Sequence, residues 1–150
     1  MERSTAEIIT PKDAKRFLQR IAWLKRRMES AALEAVHYRE MATSITAAMD
    51  GDRVSSSGTH SRVESAALRI LELAEQADRD AMELAWRVTQ ARLILGQLED
   101  EREITVLRLR YFEQRSWTAI QTSMGYASPT SVYRLHGSAL QHFAQAAQNV

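Results

Sequence analysis

The side chains best suited to metal or acid–base chemistry in this sequence are His37, His60, His136 and His142 and the acidic pairs Asp50/Asp52 and Asp78/Asp80. The histidines have no metal-ligand spacing, and neither acidic pair has a partner nearby in sequence. A lone histidine on a helix is more often a surface or capping group than a ligand. There is no cysteine, which excludes disulfides and thiolate metal sites and fits a reducing cytoplasm. The stretch Gly51-Asp52-Arg53-Val54-Ser55-Ser56-Ser57-Gly58 combines glycine, serine and arginine as a phosphate-cradling loop would, but no strand precedes it and no Gly-Lys-Ser/Thr follows. The remaining serines lack a nucleophile elbow. Neither enzymatic chemistry nor a cofactor or metal is expected.

The elements on which any site must be mounted are helices. Glycine and proline number only five and two, while Ala, Leu, Arg, Glu and Gln abound, the composition of an all-α protein. Thr10-Pro11-Lys12-Asp13 reads as a helix start, with Thr accepting from an orphan amide, Pro at the first helical position and Asp at the positive end of the dipole. From there Phe17, Ile21, Leu24, Met28, Ala31, Ala35, Tyr38 and Ala42 alternate at spacings of four and three, a heptad seam. Ser61-Arg62-Val63-Glu64 reads as a capping box that opens a second seam: Val63, Ala67, Ile70, Ala74, Ala77, Ala81, Leu84, Val88, Ala91, Leu95 and Leu98. Each helix spans roughly 45 to 55 Å at 1.5 Å per residue, so the two must bury their stripes against each other or against a second chain.

This predicts residues 1–10 as a flexible N-terminus, 11–99 as a long, coiled-coil-like antiparallel hairpin with a polar tip loop at 43–60, and 100–150 as a separate domain. A second apolar set, Ala66, Leu73, Trp86 and Leu93, lies off the seam and suggests either a homodimer built on the hairpin or packing of that set on the C-terminal domain of its own chain. No apolar run approaches the roughly 18 to 20 residues of a membrane span, and residues 1–10 lack the apolar block of a signal peptide. A soluble cytoplasmic protein is expected.

The formal net charge of +1 argues against a strongly basic nucleic-acid wrapper but hides an uneven distribution. Lys12, Lys15, Arg16, Arg20, Lys25, Arg26 and Arg27 make the first 42 residues basic, whereas 61–99 is mildly acidic. Opposite charge suits two helices lying side by side, and solvated faces account for it equally well.

In the last third, Asp100-Glu101-Arg102-Glu103 reads as another capping box, opening a helix through Ile104, Leu107, Leu109 and Tyr111. Ser116 caps a short helix containing Trp117, Ile120 and Met124, which Gly125 ends by tolerating positive φ. Ser128-Pro129 starts the last helix, whose apolar side is Val132, Leu135, Ala139, Leu140 and Phe143. A short helix, a tight glycine turn and a longer helix form a helix-turn-helix pattern, in which the second helix enters the major groove.

The residues Leu107-Arg108-Leu109-Arg110-Tyr111-Phe112, Ser116-Trp117, Ile120, Met124-Gly125-Tyr126, Val132 and Ala139-Leu140 resemble region four of sigma-70 factors. The whole chain, including Ala42-Thr43-Ser44, the stretch 51–58 and Arg134-Leu135-His136-Gly137, resembles small phage and prophage proteins carrying that domain, akin to the ArpU-type late transcription regulators. It departs from the family at Gln121, where a small Ala is usual, and in a turn from Gly125 to Val132 that is one residue longer. The resemblance implies a phage or prophage transcription regulator in a bacterial host cell, binding double-stranded promoter DNA and contacting bacterial RNA polymerase. By position it assigns Thr130, Ser131, Tyr133 and Arg134 to base reading, with Arg134 the candidate for a bidentate contact to guanine. Ser116, Trp117 and Ser128 sit at helix N-termini suited to phosphate oxygens, and Arg108 and Arg115 add charge there.

Residues 100–150 hold five Arg against four acidic residues, enough for about four phosphate contacts and a salt slope near −3.6, or a loss of roughly a hundredfold from 50 to 200 mM salt. One module is weak alone, so useful affinity needs two linked modules or recruitment by polymerase. Two alternatives stay open: a polymerase-binding adaptor without direct DNA readout, and a small-terminase-like packaging component, since that class also combines such a motif with a helical hairpin.

Overall fold

A computed structural model of the protein describes residues 4–49 and 56–150. It is all-helical among the described residues. A 3-10 turn at Thr5–Glu7 precedes α1 (Pro11–Met49), α2 (Ser56–Leu95), α3 (Glu101–Leu107), which runs on into a π-helical turn at Arg108–Phe112, α4 (Trp117–Met124) and α5 (Pro129–Ala147). The chain forms two compact units, one of residues 24–83 and one of residues 1–23 with 84–150.

Within residues 24–83, α1 and α2 pack antiparallel. Glu34 pairs with Arg69 at 2.8 Å and Arg27 with Asp80 at 3.0 Å, so positions ascending on one helix meet positions descending on the other. The α1 seam falls where its spacing puts it, with Leu24 buried and Met28, Ala31, Ala35, Tyr38 and Ala42 half-buried.

The α2 seam is rotated from the expected one. Ala66, Leu73 and Asp80 are buried, whereas Ala67 and Ala74 are exposed. The stripe here is Val63, Ala66, Ile70, Leu73, Ala77 and Asp80, three-then-four rather than four-then-three. Both registers share Val63, Ile70 and Ala77, and a purely apolar count rejects the one that contains an aspartate. Asp80 is tolerated because Arg27 pairs with it and Gln76 Nε2 donates to it at 2.8 Å; a buried charge must be paired and hydrogen-bonded to survive.

Three of the four residues that suggested a homodimer pack within the chain. Ala66 and Leu73 are buried within residues 24–83, and Trp86 packs edge-on against Phe17 with centroids 6.1 Å apart. Only Leu93 of that set stays exposed, at 53%.

Helix ends depart from expectation in three places. Ser61 is not an N-cap: α2 begins at Ser56, so Ser61 lies inside it and its carbonyl accepts from Ser65 Oγ at 2.9 Å. The tip loop is shorter than 43–60, because α1 continues to Met49; residues 50–55, with Asp50, Asp52 and most of the polar stretch 51–58, lie outside the described residues. Residues 4–10, expected to be flexible, hold a 3-10 turn at Thr5–Glu7, with Ile8 buried and its carbonyl accepting from Gln148 Nε2. At Thr10 the start is as expected: Asp13 N donates to Thr10 Oγ1 at 3.2 Å and Thr10 N to Asp13 Oδ2 at 2.9 Å. These Thr10 hydrogen bonds hold the Asp13 carboxyl below its ordinary range.

The unit of residues 1–23 and 84–150 has a single core, which extends beyond the expected 100–150 boundary. Ala14, Phe17, Leu18 and Ile21 of α1 and Ala91, Ile94 and Leu95 of α2 join Val106, Leu107, Ile120, Val132, Leu140 and Phe143. Phe143 is fully buried and lies 6.3 Å from Phe17 between ring centroids. Its truncation to Ala would cost about 3 to 5 kcal/mol, typical of a buried phenylalanine.

Candidate nucleic-acid interface

The site is built where α4, the turn after it and the first turns of α5 meet the π-helical turn. Ser116 caps α4 by accepting from Ala119 N at 3.2 Å, and Gly125 ends it at φ 71°, a left-handed conformation that glycine adopts without a Cβ penalty. Gln121 ties this turn down: its Nε2 donates to the Tyr126 carbonyl at 3.2 Å. Ser128 occupies the N-cap position of α5, but its hydroxyl caps no amide and lies 3.2 Å from Ser131 Oγ.

On α5, Val132 and His136 face the core and are buried, which turns Thr130, Tyr133 and Arg134 outward. Tyr133 is 51% exposed, Arg134 and Thr130 are exposed, and Ser131 is half-buried. Among the described residues no ion pair involves Arg134.

Trp117 organises this surface. Its ring meets Tyr133 edge-on at 5.3 Å and His136 at 4.7 Å, and the Arg110 guanidinium lies 4.5 Å above it. Arg110 Nη1 also donates to the Arg115 carbonyl at 2.9 Å, so this cation is held over the ring by two interactions.

The expected phosphate-binding cations are arranged differently. Arg108 pairs with Glu113 Oε1 at 2.7 Å and Arg115 with Glu113 Oε2 at 3.2 Å, so one carboxylate partly neutralises both. Next to them Gln114 sits at φ 56°, a conformation with a modest steric cost for a side chain bearing a Cβ. The structure thus brings Trp117 to Tyr133, and Arg108 to Arg115 through Glu113.

Two residues take roles here beyond those expected of them. His136 shares a buried 2.7 Å hydrogen bond with Tyr111, and Arg110 covers Trp117. The spacing of 132, 136, 139 and 143 places His136 on the buried face of α5, a signal that lies within the apolar pattern. Arg110 carries no such signal, because its placement follows from the π-helical turn. Of the other histidines, His60 pairs with Glu64 at 3.3 Å, His37 packs edge-on against Tyr38, and His142 binds Glu103.

Glu103 is the third surprise. Rather than closing a capping box on Asp100, it is buried and accepts from Ser138 Oγ at 2.6 Å and His142 Nδ1 at 2.8 Å, tying α3 to α5. Asp100 does cap α3, accepting from Arg102 N at 2.9 Å.

Charge is divided between the units. Residues 1–23 and 84–150 hold twelve Lys and Arg against eight Asp and Glu, while residues 24–83 hold eight against eleven. The overall +1 is therefore a +4 unit joined to a −3 unit. Among the described residues no group of three or more His, Asp or Glu could hold a metal ion, and no helix is long and apolar enough to cross a membrane. No protein-family model, curated protein or solved structure matches this chain.

Proposed function

We propose that this chain is a DNA-binding transcription regulator of the phage or prophage kind, acting in the bacterial cytoplasm, in which α4, the Gly125 turn and α5 serve as a helix-turn-helix. One observation carries the reading: Thr130, Tyr133 and Arg134 stand exposed on the first turns of α5 while Val132 and His136 anchor its opposite side. A helix so held presents a short row of polar and aromatic side chains to a major groove.

In this reading Arg134 takes the bidentate contact to guanine O6 and N7, worth about 1 to 3 kcal/mol of discrimination. Tyr133, propped by Trp117, sets the depth of the helix in the groove, and Thr130 and Ser131 contact neighbouring base edges. Ser116, Ser128 and Trp117 lie along the phosphates, with Arg115 and Arg108 reaching them only after exchanging Glu113 for phosphate. Ala66, Leu73 and Trp86 pack within one chain and lend no support to a homodimer.

The test is selection of binding sites from a pool of random duplexes, followed by anisotropy titrations at fixed salt. Arg134→Ala is expected to weaken the selected site about tenfold or more and to relax preference at one base pair, leaving non-specific binding nearly unchanged. Retained affinity and preference in both Arg134→Ala and Tyr133→Ala would remove α5 from the role. Co-purification with RNA polymerase, without binding to any naked duplex, would make the protein an adaptor.

A further inference from the structure

The weakness of the proposed DNA-binding module lies in its charge: five Arg, two of them sharing Glu113, leave little for phosphates. The fold supplies cations from elsewhere in the sequence. Lys12, Lys15 and Arg16 recur at i, i+3 and i+4 on α1 and are all exposed, which places them on one face of the helix. The opposite face, Ala14, Phe17, Leu18 and Ile21, is buried in the same core as Val132, Leu140 and Phe143 of α5.

Two contacts fix the start of α1 beside α5: Phe17 lies 6.3 Å from Phe143 between ring centroids, and the Ile8 carbonyl accepts from Gln148 Nε2. Burial, followed by the charges of Lys15 and Arg110, lowers the pKa of His136, and His136 touches Trp117, the centre of the candidate interface. The first turns of α1 therefore belong to the unit that carries α5, and their cations bear few commitments: Arg16 makes only a 3.9 Å ion pair to Asp13, with 73% of its side chain exposed.

We propose that the Lys12, Lys15 and Arg16 face of α1 is a second phosphate-binding surface, which extends the track of the α5 module along the same DNA duplex. It rests on the DNA-binding reading of α5. Its chemistry is that of a backbone clamp. Exposed ammonium and guanidinium groups displace condensed counterions without reading bases, so they raise affinity for every sequence equally and steepen the salt dependence.

The experiment measures binding of the full chain to a selected and to a scrambled duplex between 50 and 300 mM salt. Compared are the unaltered protein, the triple variant Lys12→Ala, Lys15→Ala, Arg16→Ala, and a charge-matched control, Arg39→Ala, Arg62→Ala, Arg79→Ala, in the acidic unit. Each lost phosphate contact should lower the slope of log Kobs against log salt by about 0.9. The α1 triple is expected to lower it by about 2 to 3 and to weaken both duplexes by the same factor, tenfold or more at 100 mM salt. The control should leave the slope where it was.

An unchanged slope in the α1 triple overturns the proposal while leaving α5 readout intact. An equal drop in both triples overturns it too, since net charge rather than a local surface would then be responsible. Failure of the unaltered protein to bind any duplex overturns this proposal together with the DNA-binding reading. All six substituted side chains are exposed, so thermal melts of the variants should superimpose on that of the unaltered chain.

Discussion

Tyr111 Oη and His136 Nε2 lie 2.7 Å apart in a buried hydrogen bond directly behind Trp117. Burial, followed by the charges of Lys15 and Arg110, pushes the His136 pKa down to about 4, and burial drives the Tyr111 hydroxyl up to about 12. Both groups are therefore neutral across the physiological range. The pair gives Trp117, and through it Tyr133, a fixed backing that carries no charge of its own.

This pair makes stability depend on pH in a defined window. A histidine that stays neutral when folded but protonates near pH 6.5 when unfolded takes up a proton on unfolding between those values. Its contribution is complete above about pH 6.5 and is lost as pH falls toward 4, by about 3 kcal/mol at the acid end. Denaturant titrations of the unaltered chain should show that decline, and His136→Gln should flatten it between pH 6.5 and 4.5. The Tyr111 contribution has the opposite sense, complete below pH 10 and lost as pH rises toward 12, and Tyr111→Phe should abolish it. Equal acid sensitivity in His136→Gln would place the titrating group elsewhere.

Glycine substitutions should act in opposite directions at two positions near the candidate interface. Gly137 lies in the body of α5, and a Cβ added there meets nothing within 4 Å. Gly137→Ala should therefore stabilise the protein by about 0.5 to 1 kcal/mol, because Ala loses less backbone freedom on entering a helix. Gly125 is equally uncrowded, but its φ of 71° is unfavourable to any residue with a Cβ. Gly125→Ala should cost about 1 to 2 kcal/mol. Chemical denaturation of the two variants reads both signs directly, and two changes of the same sign would contradict the account of the turn.

The acid at the centre of the α2 seam offers a third test. Asp80 is buried and held by Arg27 and Gln76, and Arg27 is 37% exposed. Replacing a buried ion by a well-packed apolar residue is often neutral or stabilising, because no charge need be desolvated. Asp80→Leu is expected to leave stability unchanged or raise it by about 1 kcal/mol, since Arg27 can turn toward water. Asp80→Ala, which removes the hydrogen bonds and fills nothing, should cost about 1 to 2 kcal/mol. Should the Leu variant lose as much as the Ala variant, the Arg27 pair would be contributing net stability rather than tolerating burial.

These residues also mark where the fold was legible in the sequence. The α1 seam, the Thr10 and Ser116 caps and the Gly125 terminus each depend on local chemistry, and local chemistry can be read directly. The α2 register could not, because two heptad phases share Val63, Ile70 and Ala77, and the observed one contains Asp80, whose partner Arg27 lies 53 residues earlier. The same reason hid the role of Glu103. Its position three residues after Asp100 fits a capping box, and nothing nearby signals that Ser138 and His142 would claim it instead. The place of Arg110 over Trp117 was not legible because a π-helical turn, not an α-helical one, carries it there.

Glu103 gives the last test, of the connection that fixes the angle of α5 against α3. Its carboxylate accepts from Ser138 Oγ and His142 Nδ1 and is itself buried, while His142 is 51% exposed at the side chain. Hydrogen bonds to a charged acceptor contribute about 1.5 to 3 kcal/mol, and the loss of their buried member cannot be made good by water as easily as the loss of an exposed one. Glu103→Ala should therefore cost about 2 to 3 kcal/mol and His142→Ala about 1 kcal/mol. A double-mutant cycle between them should return a coupling of at least about 0.5 kcal/mol, since residues in one network do not add. Zero coupling, with both single losses intact, would mean that Glu103 holds α5 through Ser138 alone and that His142 is free to serve the surface.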